Sequence, residues 1–190
     1  MAMGAILAFG AGICAQNTVR TYTDRSYGFT VDHAKDFKAL MGAKAKTETA
    51  FGDPGIGTKI LKVTPLRIPA KYHGEYEFSV WRSTNARKTC GAPAANERIG
   101  NISIEAPAED AQKSVRIAGR KFYAFTGSEG GMSKSLSLVG YRALVDKKCW
   151  LLLSLTYQVR AFDDFKAFDD KIIRRSFDDF ADSFKFTHKK

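Results

Sequence analysis

The chain is 190 residues long, 44% hydrophobic and 26% charged, with a formal net charge of +10. An ordinary apolar fraction over that length excludes a disordered tail and fits one domain with a real core. Neither a zinc-finger spacing nor an aromatic RNA-binding signature accompanies the positive charge, so specific nucleic-acid recognition is not expected.

Residues 4–16 read GAILAFGAGICAQ, and the first fifteen residues carry no charge. A membrane-spanning helix needs roughly 20 apolar residues; this stretch is shorter and rich in Gly. Ile13-Cys14-Ala15 places a small residue last and an aliphatic one two before it, and the chain turns polar from Gln16. That is the order of an apolar core followed by a signal-peptidase site. Residues 1–15 therefore read as a cleaved export signal and 16–190 as a single domain, periplasmic or secreted. No transmembrane span is expected in the mature chain. Met1-Ala2-Met3 lacks the cationic start of a signal, which keeps an ordinary N-terminal segment open as an alternative. A lipid anchor on Cys14 is the other, opposed by Ile13 where acylation sites want a small residue.

The mature chain begins with TVRTYTDRSYGFTV, a strand, a turn at Asp24-Arg25-Ser26 and a second strand. AKDFKALMGAKA, 34–45, is expected to form a short helix, and FGDPGIG, 51–57, a loop. TKILKVTPLRI puts Leu61 and Val63 on one face, with Pro65 marking an edge or bulge. EYEFSVWRS alternates Tyr76, Phe78 and Val80 with Glu75, Glu77 and Ser79, the pattern of a half-buried strand. RIGNISIEA and RKFYAFTG are further strands, and GSEGG a flexible turn. SKSLSLVGYRALVDKKCWLLLSLTYQV reads as two long strands joined at Asp146-Lys147. On the second, Cys149, Leu151, Leu153, Leu155 and Tyr157 share a face while Trp150 and Leu152 take the other, so it is expected to be covered on both sides.

The period changes at the end. Ile173, Phe177, Phe180 and Phe184 form the stripe of an amphipathic helix, which Phe165, Phe168 and Ile172 extend backwards. Asp163 or Asp169 is placed to cap it, and Asp178 is expected to be exposed. SFKF then returns to an extended run. The fold class is α+β: an antiparallel sheet with a long C-terminal helix packed on one face.

YGFTV near the start and FDDKIIRRSFDDFADSFKF at the end, closing on Ser183 to Phe186, resemble the bracketing motifs of the PsbP/Mog1-like superfamily. RKFYAF and the Tyr141 to Tyr157 hairpin lie in the expected order, so the resemblance spans roughly residues 18–190. The pattern departs at His33-Ala34-Lys35, where the family often has Pro. The resemblance implies a small sheet-and-helix module without established catalytic residues. Its members serve as accessory or adaptor proteins, among them photosystem subunits and a Ran-binding nuclear import factor. Exported bacterial members that look like this chain commonly carry one Cys in the middle and one on the penultimate strand.

If Cys14 leaves with the signal, Cys90 and Cys149 remain. In an oxidising compartment two cysteines read as one disulfide; in a cytosolic protein they would be two buried thiols. No His or Cys stands at ligand spacing from either, so no metal site is expected.

No Gly-x-Ser-x-Gly elbow is present. Ser128 in TGSEGG falls in the expected turn with no His near it in sequence, and His33, His73 and His188 read as surface residues. GDPGIGT lacks the Lys-Ser/Thr ending of a phosphate loop, and the Asp pairs at 163–164, 169–170 and 178–179 lack the alternate spacing of a calcium loop. No catalytic, cofactor-binding or metal-binding residue is assigned, and no cofactor is expected.

The charge is unevenly spread. Residues 161–183 hold seven Asp against four cations, leaving +13 for the rest of the chain. Such a field favours polyanions. The leading reading is a non-enzymatic, exported interaction module whose basic surface meets an anionic partner, either a protein or an envelope polymer. Arg82, Arg87 and Lys88, in an expected loop leading to Cys90, are the candidate contacts. The alternatives are an enzyme with a site assembled from scattered residues, and a structural subunit of an envelope complex.

Overall fold

A computed structural model describes residues 19–45, 57–83, 90–94, 96–100, 102–107, 113–131, 133–159 and 166–187. The expected signal, the loop 51–56 with its Asp53 and Pro54, Asp163, Phe165 and His188 lie outside them.

Strand β1 (Val19–Asp24) turns into β2 (Phe29–Ala34) through residues whose amides are held by a side chain. Asp24 Oδ1 accepts hydrogen bonds from the backbone N–H groups of Ser26 and Tyr27, both at 2.9 Å. The expected helix over 34–45 is instead strand β3 (Phe37–Met41) and a 3₁₀ turn at Gly42–Lys44. Its partner decides this: β3 pairs with β4 (Thr58–Pro65), and Phe37 stacks on Phe78 with ring centroids 5.6 Å apart. Tertiary pairing outweighs a local helical preference.

The sheet continues with β5 (Gly74–Ser83), β6 (Arg98–Ile99), β7 (Ile102–Glu105), β8 (Ser114–Ile117), β9 (Arg120–Gly130), β10 (Lys134–Val145) and β11 (Lys148–Val159). Helix α1 (Asp170–Ser183) and β12 (Lys185–Phe186) end the described chain. The larger sheet runs β3-β4-β5-β11-β10-β9-β7-β6, with β8 beside β9, and the smaller runs β1-β2-β12. Every pairing among the described strands is antiparallel. The architecture is therefore mostly antiparallel sheet with one C-terminal helix, richer in sheet than a balanced α+β sandwich.

Three sequence expectations change here. RIGNISIEA is a tight hairpin, β6 to β7, and not one strand. GSEGG is the end of β9, where Ser128 pairs with Ser137 on one side and Ser103 on the other. Gly127 lets β7 approach: a Cβ there would lie 2.6 Å from the Ser103 carbonyl oxygen. His33 lies within β2, buried, with Nδ1 2.9 Å from the Ala34 carbonyl oxygen.

Both faces of the large sheet are buried. On the first, α1 and the small sheet cover Leu61, Val63, Phe78, Val80, Trp150 and Leu152. On the second, Cys90, Ile99, Ile102 and Ile104 close over Trp81, Phe125, Leu138, Leu151, Leu153 and Leu155. β11 is covered on both sides, as its alternation indicates. β5 is as well, against the half-buried pattern expected for it. Glu77 is 1% exposed, neutralised by Lys59 Nζ at 2.6 Å and Lys62 Nζ at 3.3 Å. Two cations of the basic field are thus internal, where an unpaired carboxylate would carry a heavy desolvation cost.

In α1 the stripe Ile173, Phe177, Phe180 and Ala181 is buried, and Phe184 follows it. Asp169 caps the helix, its Oδ1 accepting from the N–H of Lys171 at 3.0 Å and of Ile172 at 3.3 Å. Phe168 precedes the helix and extends the apolar contact, half-buried against the same core and stacked on Tyr72, whereas Ile172 is 65% exposed and does not extend the stripe as expected.

Candidate functional site

Antiparallel register gathers cations at one end of the large sheet. At this end Ser83 of β5 faces Cys149 of β11, and the β10–β11 turn carries Asp146 and Lys147 at φ 50° and 60°. The β8–β9 hairpin projects beside it, turning at Ala118 and Gly119 with φ 50° and 72°. In that hairpin Arg116 lies directly across from Lys121. Both are exposed, as are Lys113 and Arg120. Lys121 Nζ sits 4.9 Å from the centroid of the Tyr123 ring. Among the described residues no carboxylate lies within ion-pair distance of Lys113, Arg116, Arg120 or Lys121. Like charges directly opposite one another destabilise a strand pair, so the hairpin sets Arg116 and Lys121 together against its own stability.

Arg82 belongs to the same end but not to a loop: it lies in β5, opposite Trp150 and Thr58. Its guanidinium carbon is 4.7 Å from the Tyr27 ring centroid and 5.9 Å from that of Trp150. The side chain is half-buried and does packing work. Arg87 and Lys88 lie outside the described residues.

The segment that covers the second face is fastened beside this end. Cys90 and Cys149 form a disulfide with Cα atoms 5.5 Å apart. Arg142, 2% exposed, donates from Nε to the Gly91 carbonyl oxygen at 2.8 Å and from Nη2 to Glu97 Oε2 at 2.8 Å, with Nη1 on Glu97 Oε1. Burial pushes the Glu97 pKa up, but the hydrogen bonds from Arg142 and the Ala94 N–H, with the Arg142 charge, outweigh it and hold the carboxyl below its ordinary value. Nothing local in the sequence marks this pair.

A groove opens on the other face of the sheet, where α1 stops short of β7 and β9. Its largest cavity, about 690 Å³, is bounded by Glu105, Arg116, Thr126, Tyr141, Asp178 and Asp182. The Tyr141 hydroxyl donates to Asp178 Oδ1 and accepts from Arg174 Nη2, each at 2.7 Å, and Arg174 Nε meets Asp178 Oδ1 at 3.0 Å. Burial, then the Asp178 hydrogen bond, push the Tyr141 pKa above its ordinary value against the opposing pull of Arg174. The phenol stays protonated at neutral pH and serves as a fixed donor. Among the described residues no group of three or more His, Cys, Asp or Glu is placed to hold a metal ion. No described helix is long and apolar enough to cross a membrane.

Neither a family model nor a curated protein matches the chain. Among solved structures it is similar to cyanobacterial PsbP (CyanoP) from Synechocystis sp. PCC 6803, at 12% identity and a TM-score of 0.44 over 97% of this chain and 98% of that one. It is also similar to LpqN, involved in cell envelope biogenesis of Mycobacterium tuberculosis, at 10% identity and a TM-score of 0.43 over 90% of this chain and 93% of that one. Function is read from the chain's own residues, because fold does not carry it.

Proposed function

We propose that the protein is an exported, non-enzymatic accessory module, periplasmic or secreted, that meets an anionic envelope polymer or acidic protein on the basic end of its sheet. The observation that carries this reading is the cross-strand pair Arg116 and Lys121, two exposed like charges held face to face with no carboxylate of the described residues in ion-pair reach. An anionic partner would relieve that repulsion on binding. Arg82 lies at the same sheet end, and Arg87 and Lys88 follow shortly after it in the chain. The Cys90–Cys149 disulfide suits an oxidising compartment, and the uncharged first fifteen residues suit export.

The test is retention on immobilised heparin across a salt series, because exposed charges are screened within about 10 Å at 0.1 M salt. Binding should weaken steeply with salt, and replacing Arg116 and Lys121 together with Ala should weaken it further at fixed salt. Parent-like binding by that double variant would refute the surface. Mass spectrometry of the native protein tests export: a chain beginning near Gln16 is expected, and an intact Met1 on cytosolic protein would refute it.

A further inference from the structure

The face of the large sheet turned toward α1 changes character along the strands. Ala124, Tyr141 and Leu152 lie abreast in one row and belong to the apolar core. In the next row Thr126, Val139 and Ser154 lie abreast, and in the one after it Ser128, Ser137 and Thr156. Five hydroxyls therefore pave this stretch of the face, running from buried Ser154 and Thr156 to exposed Ser128 and Ser137. They floor a cavity of about 340 Å³ between α1 and the strands. That cavity shares Glu105, Thr126 and Arg174 with the 690 Å³ cavity, and Ser128, Ser137 and Asp170 with a third of about 550 Å³. Together they form one groove along the helix.

Ser154 is 4% exposed and Thr156 5%. Among the described residues no side-chain hydrogen bond engages either hydroxyl, nor those of Thr126, Ser128 and Ser137. Among the described residues the buried side-chain oxygen without a hydrogen-bond partner is Glu77 Oε2, so the Ser154 and Thr156 oxygens are not sealed off but open on the groove. The floor thus offers a ligand donors and acceptors that no other side chain engages.

The groups present select the ligand. A hydroxyl both donates and accepts, so it is matched by another hydroxyl. The rim carboxylates Glu105, Asp170 and Asp182 accept only, while Arg116 and Arg174 donate, so the rim carries both signs of charge. A cationic peptide would suit the rim carboxylates but bring its charges against Arg116 and Arg174. An apolar ligand would leave the whole floor unpaired. We propose that this groove binds a neutral, polyhydroxylated chain, a short oligosaccharide, on a floor that adjoins the basic end of the sheet only through Arg116 on its rim.

The full mature chain would be titrated calorimetrically with maltotetraose and with chitotetraose, and with tetralysine as a comparator. Thr126→Val and Thr156→Val remove a hydroxyl at nearly constant shape. At least one sugar should bind, each Val variant should weaken it about 2- to 10-fold, the worth of one hydrogen bond, and the melting temperature should hold or rise. Lys121→Ala should leave sugar binding unchanged. Failure of both sugars to bind at millimolar concentration would overturn the proposal. So would equal binding by parent and Val variants, or tetralysine binding that the Val variants weaken. Thr126→Val and Thr156→Val leave Arg116 and Lys121 in place, so these variants should keep parent-like heparin retention, which separates this proposal from that for the basic end.

Discussion

Arg142 grips Glu97 with both terminal nitrogens, the guanidinium 2% exposed and the carboxylate 16%. Glu97→Gln would leave that guanidinium without its counter-charge, which should cost about 3–5 kcal/mol. The folded pKa of Glu97 is lowered, so its contribution is complete above the unfolded value of about 4.3 and drains away as pH falls through the folded one. Urea unfolding of parent and variant should differ widely at neutral pH and converge in acid, where the protonated carboxyl resembles the amide. A gap independent of pH would mean the pair does not clamp the cover.

The disulfide closes a separation of 59 residues. Chain entropy alone assigns such a loop about 4 kcal/mol. Replacing Cys90 and Cys149 together with Ser should lower stability by that order, and reductant should then have no further effect. A parent whose melting temperature ignores reductant would contradict the expectation.

Along α1, Phe177→Ala and Ile173→Ala should each cost about 2–5 kcal/mol, since both side chains are buried against the sheet. Asp178 is not the free surface residue its position suggests, because it accepts from Tyr141 and Arg174. Asp178→Ala should therefore cost about 1 kcal/mol, and exposed Asp179→Ala close to nothing. Denaturant midpoints for the four variants would separate these ranks; equal losses would deny the packing.

The cations of the basic end should divide by stability. Arg82→Ala gives up contacts with two aromatic rings and should cost about 0.5–2 kcal/mol. Lys121→Ala relieves a like-charge pair at the price of one cation–π contact and should stay within about 0.5 kcal/mol of the parent. Thermal melts of the two, set beside their heparin retention, distinguish a packing cation from a binding one.

Much of the local structure was legible in the residues themselves. The two-residue alternation of Cys149 to Leu155 marked a strand with two buried faces, and the spacing of Ile173, Phe177, Phe180 and Phe184 marked the helix stripe. Asp24 and Asp169 announced a turn and a cap, because side-chain oxygens bond amides only two or three residues away. These signals depend on neighbours along the chain.

What depended on neighbours in space could not be read that way. Whether Phe37 entered a strand or a helix was decided by β4, and whether Glu77 faced water or two lysines was decided by what closed over β5. YGFTV and SFKF each suggested an extended run, but only the folded chain lays Phe186 across from Phe29 in one small sheet. The same holds for the sites. The sequence supplied the cations and the hydroxyls, while antiparallel register set Arg116 against Lys121 and brought Ser128, Ser137 and Thr156 abreast in one row. Periodicity fixes which face of an element is apolar; only the pairing of distant strands fixes which polar groups meet there.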